Sequence, residues 1–309
     1  MHKIHLDTDL GGDIDDLCAL AMLLRWEGVE FTGITTVAEA NGRRAGYTRY
    51  VLELEGKSDI RVAAGADVSR GFYRYAELGY PEEQRYWPEP IVPSPNNPDD
   101  ALELLKQSIE QDATIIAIGP FTNLYLLDLK YPGILMQANL FLMAGYVFPV
   151  RAGFPQWGND MDWNIQVDIR SAKYVLEHAN PTLIPLSVTV ETALRRAHLK
   201  VLKESGNLGR LIARQAEAFA IDEQNETRYG ETCEGLPHDI INFQHDALAC
   251  AIALGWDDGI EVEEIPLLLE EKEGWLYERI TPSGKPVRLV TKVDGPRFNE
   301  FWLNKIINR

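Results

Sequence analysis

Five aspartates crowd the start of the chain, where residues 6–16 read LDTDLGGDIDD and place Asp7, Asp9, Asp13, Asp15 and Asp16 within ten positions. Carboxylates held that close repel one another, so some must take up protons or share a cation. Their hard oxygens suit Ca²⁺ or Mg²⁺ better than zinc. Gly11 and Gly12 allow a turn tight enough for several oxygens to converge. The plainer alternative is a solvated turn whose aspartates cap the following helix. An EF-hand fits poorly, because Gly11 and Cys18 fall where that loop needs ligands.

Stepping out from the loop, short β-branched runs alternate with amphipathic stretches. Strands are expected at Ile4–Leu6, Phe31–Val37, Arg61–Ala64, Thr114–Ile118 and Leu140–Met143. Helices are expected at Asp16–Trp26, Ala45–Glu55, Asp99–Gln111 and Asn123–Leu129. This alternation predicts an α/β fold: one domain over residues 1–309, with a mostly parallel, Rossmann-like central sheet flanked by helices. Trp275–Ile280 and Val287–Val293, joined by Thr281-Pro282-Ser283-Gly284-Lys285, read as a C-terminal β-hairpin. Two stretches, 71–98 and 146–162, have no period, and loops that long tend to be functional. The acidic loop then falls at the carboxyl edge of the sheet, where such folds place ligands.

Composition narrows the partners. The chain carries 47 Asp+Glu against 30 Lys+Arg, a formal charge of −17, which opposes binding to a nucleic-acid polymer or an anionic membrane surface. Three scattered cysteines make neither a disulfide framework nor a zinc site, and no apolar run is long enough for a membrane span. No signal peptide is evident before MHKIHLDTD, so the expected location is the cytoplasm.

The run DTDLGGDIDDLCAL resembles the N-terminal signature of the nucleoside hydrolases of the inosine–uridine-preferring type, with two extra residues before Asp15-Asp16 that leave Asp13 without a counterpart. GITTVAEAN, RVAAGA, AIGPFTN, LMAG, DMDWNIQVD, QHDALA and the C-terminal hairpin and helix extend the resemblance over nearly the whole chain. It implies a calcium ion held by Asp9, Asp16, Asp246 and the Ile118 carbonyl. It also implies ribose contacts from Asp15, Asn41, Met143, Asn159, Asp162 and Asn164. Asn41 stands one position late, with Ala40 at the expected place, and Asp162 stands where a Glu is more usual. Of two His-Asp pairs, His245-Asp246 opens an apolar helix as the family's pair does, whereas His238-Asp239 lies in a loop; His238 stays a candidate should that loop fold inward.

The implied reaction is calcium-dependent hydrolysis of a ribonucleoside to ribose and free base. Asp9 would take the proton of the attacking water, and His245, with an ordinary pKa near neutrality, would protonate the leaving base. The partner is a small nucleoside, and a homodimer or homotetramer is expected from the family. An alternative reading is a nucleoside- or ribose-binding protein that keeps calcium but has lost turnover. A haloacid-dehalogenase-type phosphotransferase also begins with a strand-end Asp-x-Asp, but its later Thr/Ser and Lys signals are not evident. The resemblance implies that base preference rests on variable loops, here 71–98 and 146–162, and on a helix near 205–230, with Tyr73, Tyr75, Tyr80, Tyr86, Trp87, Trp157 and Tyr229 as base-stacking candidates or loop core.

Overall fold

The computed structural model describes residues 1–76 and 78–308; Glu77, inside the irregular 71–98 segment, and Arg309 lie outside the described residues. Eleven strands are present among them: β1 His2–Thr8, β2 Val29–Thr36, β3 Val62–Ala64, β4 Thr114–Ala117, β5 Asn139–Met143, β6 Thr182–Ile184, β7 Leu194–Arg195, β8 Ile240–Asn242, β9 Glu261–Lys272, β10 Trp275–Ile280 and β11 Lys285–Lys292. Nine of them form one sheet in the order β10-β9-β11-β6-β5-β4-β1-β2-β3, and β7 pairs with β8 separately. From β3 across to β11 every pairing is parallel.

Burial on both faces explains the continuous apolar runs in these strands. One core joins Ile4, Leu6 and Ile116 to the helices at Asp15–Leu24 and His245–Ala253; the other joins Ile115, Leu140 and Leu142 to helices at Pro98–Glu110, Thr122–Lys130 and Ile169–His178. The helices DDLCALAMLL and HDALACAIA are apolar almost all round because both are packed inside.

The C-terminal antiparallel part differs from expectation in its pairing. The hairpin is β9–β10, turning at Glu273-Gly274, and β11 pairs with the other edge of β9. Strands β10 and β11 therefore do not pair; the Thr281–Gly284 turn carries the chain across the end of β9. Strand β9, Glu261–Lys272, is the longest among the described residues and carried no strand expectation. Most of its exposed side chains are charged, Val262 and Leu268 excepted, and only Ile265 and Leu267 are buried, so the apolar alternation is too short to register.

Starting from β1, the chain adds β2 and β3 on one side, then β4, β5 and β6 on the other. The loops after β1 and β4 diverge at this switch point and leave a crevice at the carboxyl edge. Asp9 follows β1 and Ile118 follows β4, so the fold itself sets them side by side.

Candidate active site

A cleft of about 860 Å³ opens over this edge, with the acidic loop as its floor. Asp15 and Asp16 occupy the first turn of helix Asp15–Leu24, and Asp246 the first turn of helix His245–Ala253. The two helices pack together, so both N-terminal dipoles point at one spot. Oxygens of Asp15, Asp16 and Asp246 all lie within 4.8 Å of one another, and all three side chains are buried. The Asp246 N–H donates to Asp15 Oδ2 at 3.4 Å, and the Thr8 hydroxyl donates to Asp16 Oδ1.

Burial, followed by mutual repulsion, pushes the carboxyls of Asp15 and Asp246 far above the ordinary range, and Asp16 likewise, chiefly through burial and Asp9. Asp9 is lifted by burial and pulled back by Arg44. Its charge acts on Asp15, Asp16 and Asp246 alike, although its oxygens stand outside their tight group. The third member of that group is thus Asp15, the residue expected to hold ribose. Ile118 lines the cleft, and its carbonyl accepts from Asn164 Nδ2 at 3.1 Å, leaving a lone pair.

Backbone geometry explains why these groups converge. Gly11 has φ +119°, and a Cβ there would stand 2.5 Å from the ring of Tyr47. A Cβ on Gly119 would stand 2.8 Å from Asp9 Oδ1, so glycine leaves the room that carboxylate needs.

Of the expected ribose contacts, Met143, Asp162 and Asn164 line the cleft. Asn164 Nδ2 also donates to the Met143 carbonyl at 3.0 Å, which fixes its orientation. Asp162 caps helix Trp163–Gln166: Oδ2 accepts from Gly145 N–H at 2.6 Å and Oδ1 from Ile165 N–H at 3.4 Å, while burial lifts its pKa to about 6. The other two are elsewhere. Asn41 is exposed, with φ 53°, because Glu39 turns inward and accepts from the Thr36 hydroxyl and the N–H of Ala45. Asn159 donates its amide to the Leu276 carbonyl at 3.2 Å and so ties its loop to β10 instead of facing the cleft.

His245 lines the cleft, whereas His238 is exposed in its loop outside it. The expected ground for an acid role, an ordinary pKa, does not hold, since burial drives His245 down to about 3. Its Nδ1 lies 2.7 Å from the Thr189 hydroxyl, which turns one edge of a neutral ring toward the cleft.

Several residues here carried no sequence signal. Arg44 is buried in the cleft wall, where it donates to the carbonyls of Asp9 and Ala38 and lies under the Tyr80 ring, 4.7 Å from its centroid. In RRAGYTRY it looks like any solvent-facing helix arginine. Thr189 was equally silent. Asn242, which donates to Asp13 Oδ1 at 2.5 Å, stands just before the QHD motif and was the nearest to legible.

The irregular segments form the outer walls. Tyr75, Tyr80, Tyr86, Trp157 and Tyr229 line the cleft, while Trp87 is core, stacked on Tyr47 at 4.3 Å, and Tyr73 stands behind the lining. Among the described residues no helix is long and apolar enough to cross a membrane.

Residues 4–300 match the family described as inosine-uridine preferring nucleoside hydrolase. An uncharacterized protein of Schizosaccharomyces pombe, C1683.06c, is 30% identical over 224 residues, 65% of this chain and 67% of that one. The pyrimidine-specific ribonucleoside hydrolase RihA of Salmonella arizonae is 27% identical over 244 residues, 74% of each. Among solved structures, the plant nucleoside hydrolase PpNRh1 superimposes with a TM-score of 0.79 at 17% identity, covering 100% of this chain and 99% of that one. The purine-preferring ribonucleoside hydrolase of Gardnerella vaginalis gives 0.78 at 22% identity, with 98% of each covered. The chain therefore belongs to the inosine–uridine-preferring nucleoside hydrolase family, enzymes that cleave the N-ribosyl glycosidic bond.

Proposed function

We propose that this protein hydrolyses ribonucleosides to ribose and free base in a calcium-dependent reaction, in the cytoplasm and as a homodimer or homotetramer. The observation that carries the reading is the buried convergence of Asp15, Asp16 and Asp246 beside Asp9 at the switch point of the sheet. A hard divalent cation fits this donor set: the donors are all carboxylate oxygen, they repel one another strongly, and the nearby buried Arg44 spends its hydrogen bonds on backbone carbonyls. Asp9, Asp16, Asp246 and the Ile118 carbonyl would hold the ion, with Asp15 free to bind a ribose hydroxyl or to join them. When bound, calcium would supply charge that fixes sugar hydroxyls and water in one arrangement.

The remaining work falls to side chains. Asn164, locked by the carbonyls of Ile118 and Met143, presents its amide oxygen to the sugar. Met143 packs against the ring. The C1′–N bond breaks with its electron pair going to the base, while a water oxygen bonds to C1′ and gives its proton to Asp9. Carboxylates on the floor stabilise the positive charge that develops on the sugar. His245 starts neutral, so it assists the departing base by donating a hydrogen bond from the ring nitrogen that faces the cleft, and the base, leaving with the bonding pair, takes its proton from solvent water.

Two substitutions test this directly. Asp9→Ala and Asp246→Ala should each lose bound calcium and nucleoside hydrolysis together. Full turnover by Asp9→Ala would remove it from the role of base.

A further inference from the structure

Strand β10 is an edge of the sheet, yet one of its carboxyl groups is buried with nothing to hold it. Along Trp275–Ile280 the side chains alternate, and Leu276 and Glu278 share the inner face. Glu278 is only 6% exposed, and among the described residues neither of its carboxyl oxygens has a hydrogen-bond partner. A bare carboxylate is costly in such a place, so the proton stays on. Burial, and after it the charge of Asp162, pushes the Glu278 carboxyl up to about 8; the N–H groups of Glu278 and Tyr146 offset only part of this. At neutral pH it is an uncharged acid.

The group it faces belongs to the cleft. The short helix Asn159–Met161 and helices Trp163–Gln166 and Ile169–His178 pack against β10 from the side opposite β9. Of the charged groups on these elements only Asp162 acts on Glu278; Asp160, Arg170, Lys173, Glu177 and Glu271 do not, and Glu270 and Arg279 pair with each other at 2.5 Å. No cation stands between the two acids. Asp162 is the one that can keep a charge, because the N–H groups of Gly145 and Ile165 both donate to it. The two cannot drift apart. Gln166 grips the Leu276 backbone, Nε2 donating to its carbonyl at 2.7 Å and Oε1 accepting its N–H at 3.0 Å, and Asn159 donates to the same carbonyl. The segment that carries Asp162 is thus clipped to β10 two residues from Glu278.

We infer that Glu278 is a positioning residue for the sugar end of the cleft: it carries the proton of a buried acid pair, so that the charge and the free lone pairs stay on Asp162 for a ribose hydroxyl. This rests on the nucleoside hydrolase reading, in which Asp162 meets the sugar, and adds a residue outside the cleft lining to it. When Glu278 loses its proton, two negative charges share a dry, clipped space. The repulsion falls on the two hydrogen bonds that hold Asp162 to Gly145 and Ile165, and the sugar contact loosens while the groups around Asp9 stay in place.

The test is the pH dependence of inosine hydrolysis by the calcium-loaded protein, with kcat and KM measured separately from pH 6.5 to 9.5. In the wild-type protein KM should rise about tenfold between pH 7 and pH 9 while kcat changes little. Glu278→Gln, neutral at every pH, should remove most of that rise. Glu278→Met, also neutral and of similar size, should do the same and stands in should the glutamine variant fail to fold. A loss of packing alone would shift KM by the same factor at every pH. A flat wild-type KM, or an alkaline rise that persists in both variants, would overturn the inference. Hydrolysis with either result strikes only the role of Glu278. If no nucleoside is hydrolysed, the enzymatic reading falls, and the Kd of inosine over the same pH range, in the same three proteins, decides the role of Glu278 in place of KM.

Discussion

The acidic floor of the cleft, the sugar end in the proposed reading, and its loop walls, the base end, are built on different principles. Every group at the sugar end sits where a regular element begins or stops: Asp9 after β1, Ile118 after β4, Met143 at the end of β5, Asp16 and Asp246 in first helical turns. Each is held by a strand ladder or helix dipole that the core already fixes. The base end is lined by irregular backbone, the 71–98 and 146–162 segments and the turn after helix Gly206–Glu223. Reaction chemistry needs tenths of an ångström and is placed on the scaffold; selectivity tolerates variation and is placed on loops.

That contrast predicts how damage should scale. Asp246→Ala removes a carboxylate from the rigid end and should cost on the order of a thousandfold in kcat/KM for inosine or uridine, with calcium lost in parallel. His245→Ala, at the boundary of the two ends, should cost roughly a hundredfold for a nucleoside but little for a nitrophenyl riboside, whose leaving group needs no help. An equal loss on both substrates would deny His245 any dealing with the base. Gly119→Ala pushes on the side chain and backbone nitrogen of Asp9 and on Val37 without changing any functional group, and about a tenfold loss in kcat with a melting temperature lower by a few degrees is expected. Tyr75→Ala, in the loop wall where Tyr75 stacks on Trp163, should shift KM for one class of base by a few-fold and leave kcat alone.

The smallest effect is on stability. Burial lifts Asp7 from 3.8 to about 7 and Asp162 to about 6, and the carboxyls of Asp15 and Asp246 are raised as well. A folded-state pKa above the unfolded one stabilises the fold in acid, and this contribution is lost as pH rises through the folded value. The chelator-treated protein should therefore lose a few degrees of melting temperature between pH 4 and pH 7, and calcium should restore most of it at the upper end. A melting temperature that rises over that range without metal would contradict the buried, protonated cluster.

Sequence legibility follows the same division. The parallel sheet could be read because its strands are buried on both faces, and the acidic motif because five aspartates in ten positions are hard to mistake. Strand β9 was missed because its charged outward positions outnumber its two buried ones. Arg44 was missed because a buried arginine differs from a surface one only in what the fold lays over it, here Tyr80. Asn41 misled because inward-turning Glu39 took the place that spacing assigned to it. Local pattern records what a residue type prefers, not which neighbour claims the space first.

The central claim, that the clustered aspartates serve a metal-dependent ribosidase, meets its most direct test in one assay. Purified protein is stripped with a chelator, then titrated with calcium while free base is measured from inosine and uridine. No base release is expected from the stripped protein, and recovery should saturate at one calcium per chain. Undiminished hydrolysis in excess chelator, or none from any nucleoside once calcium is bound, would contradict it.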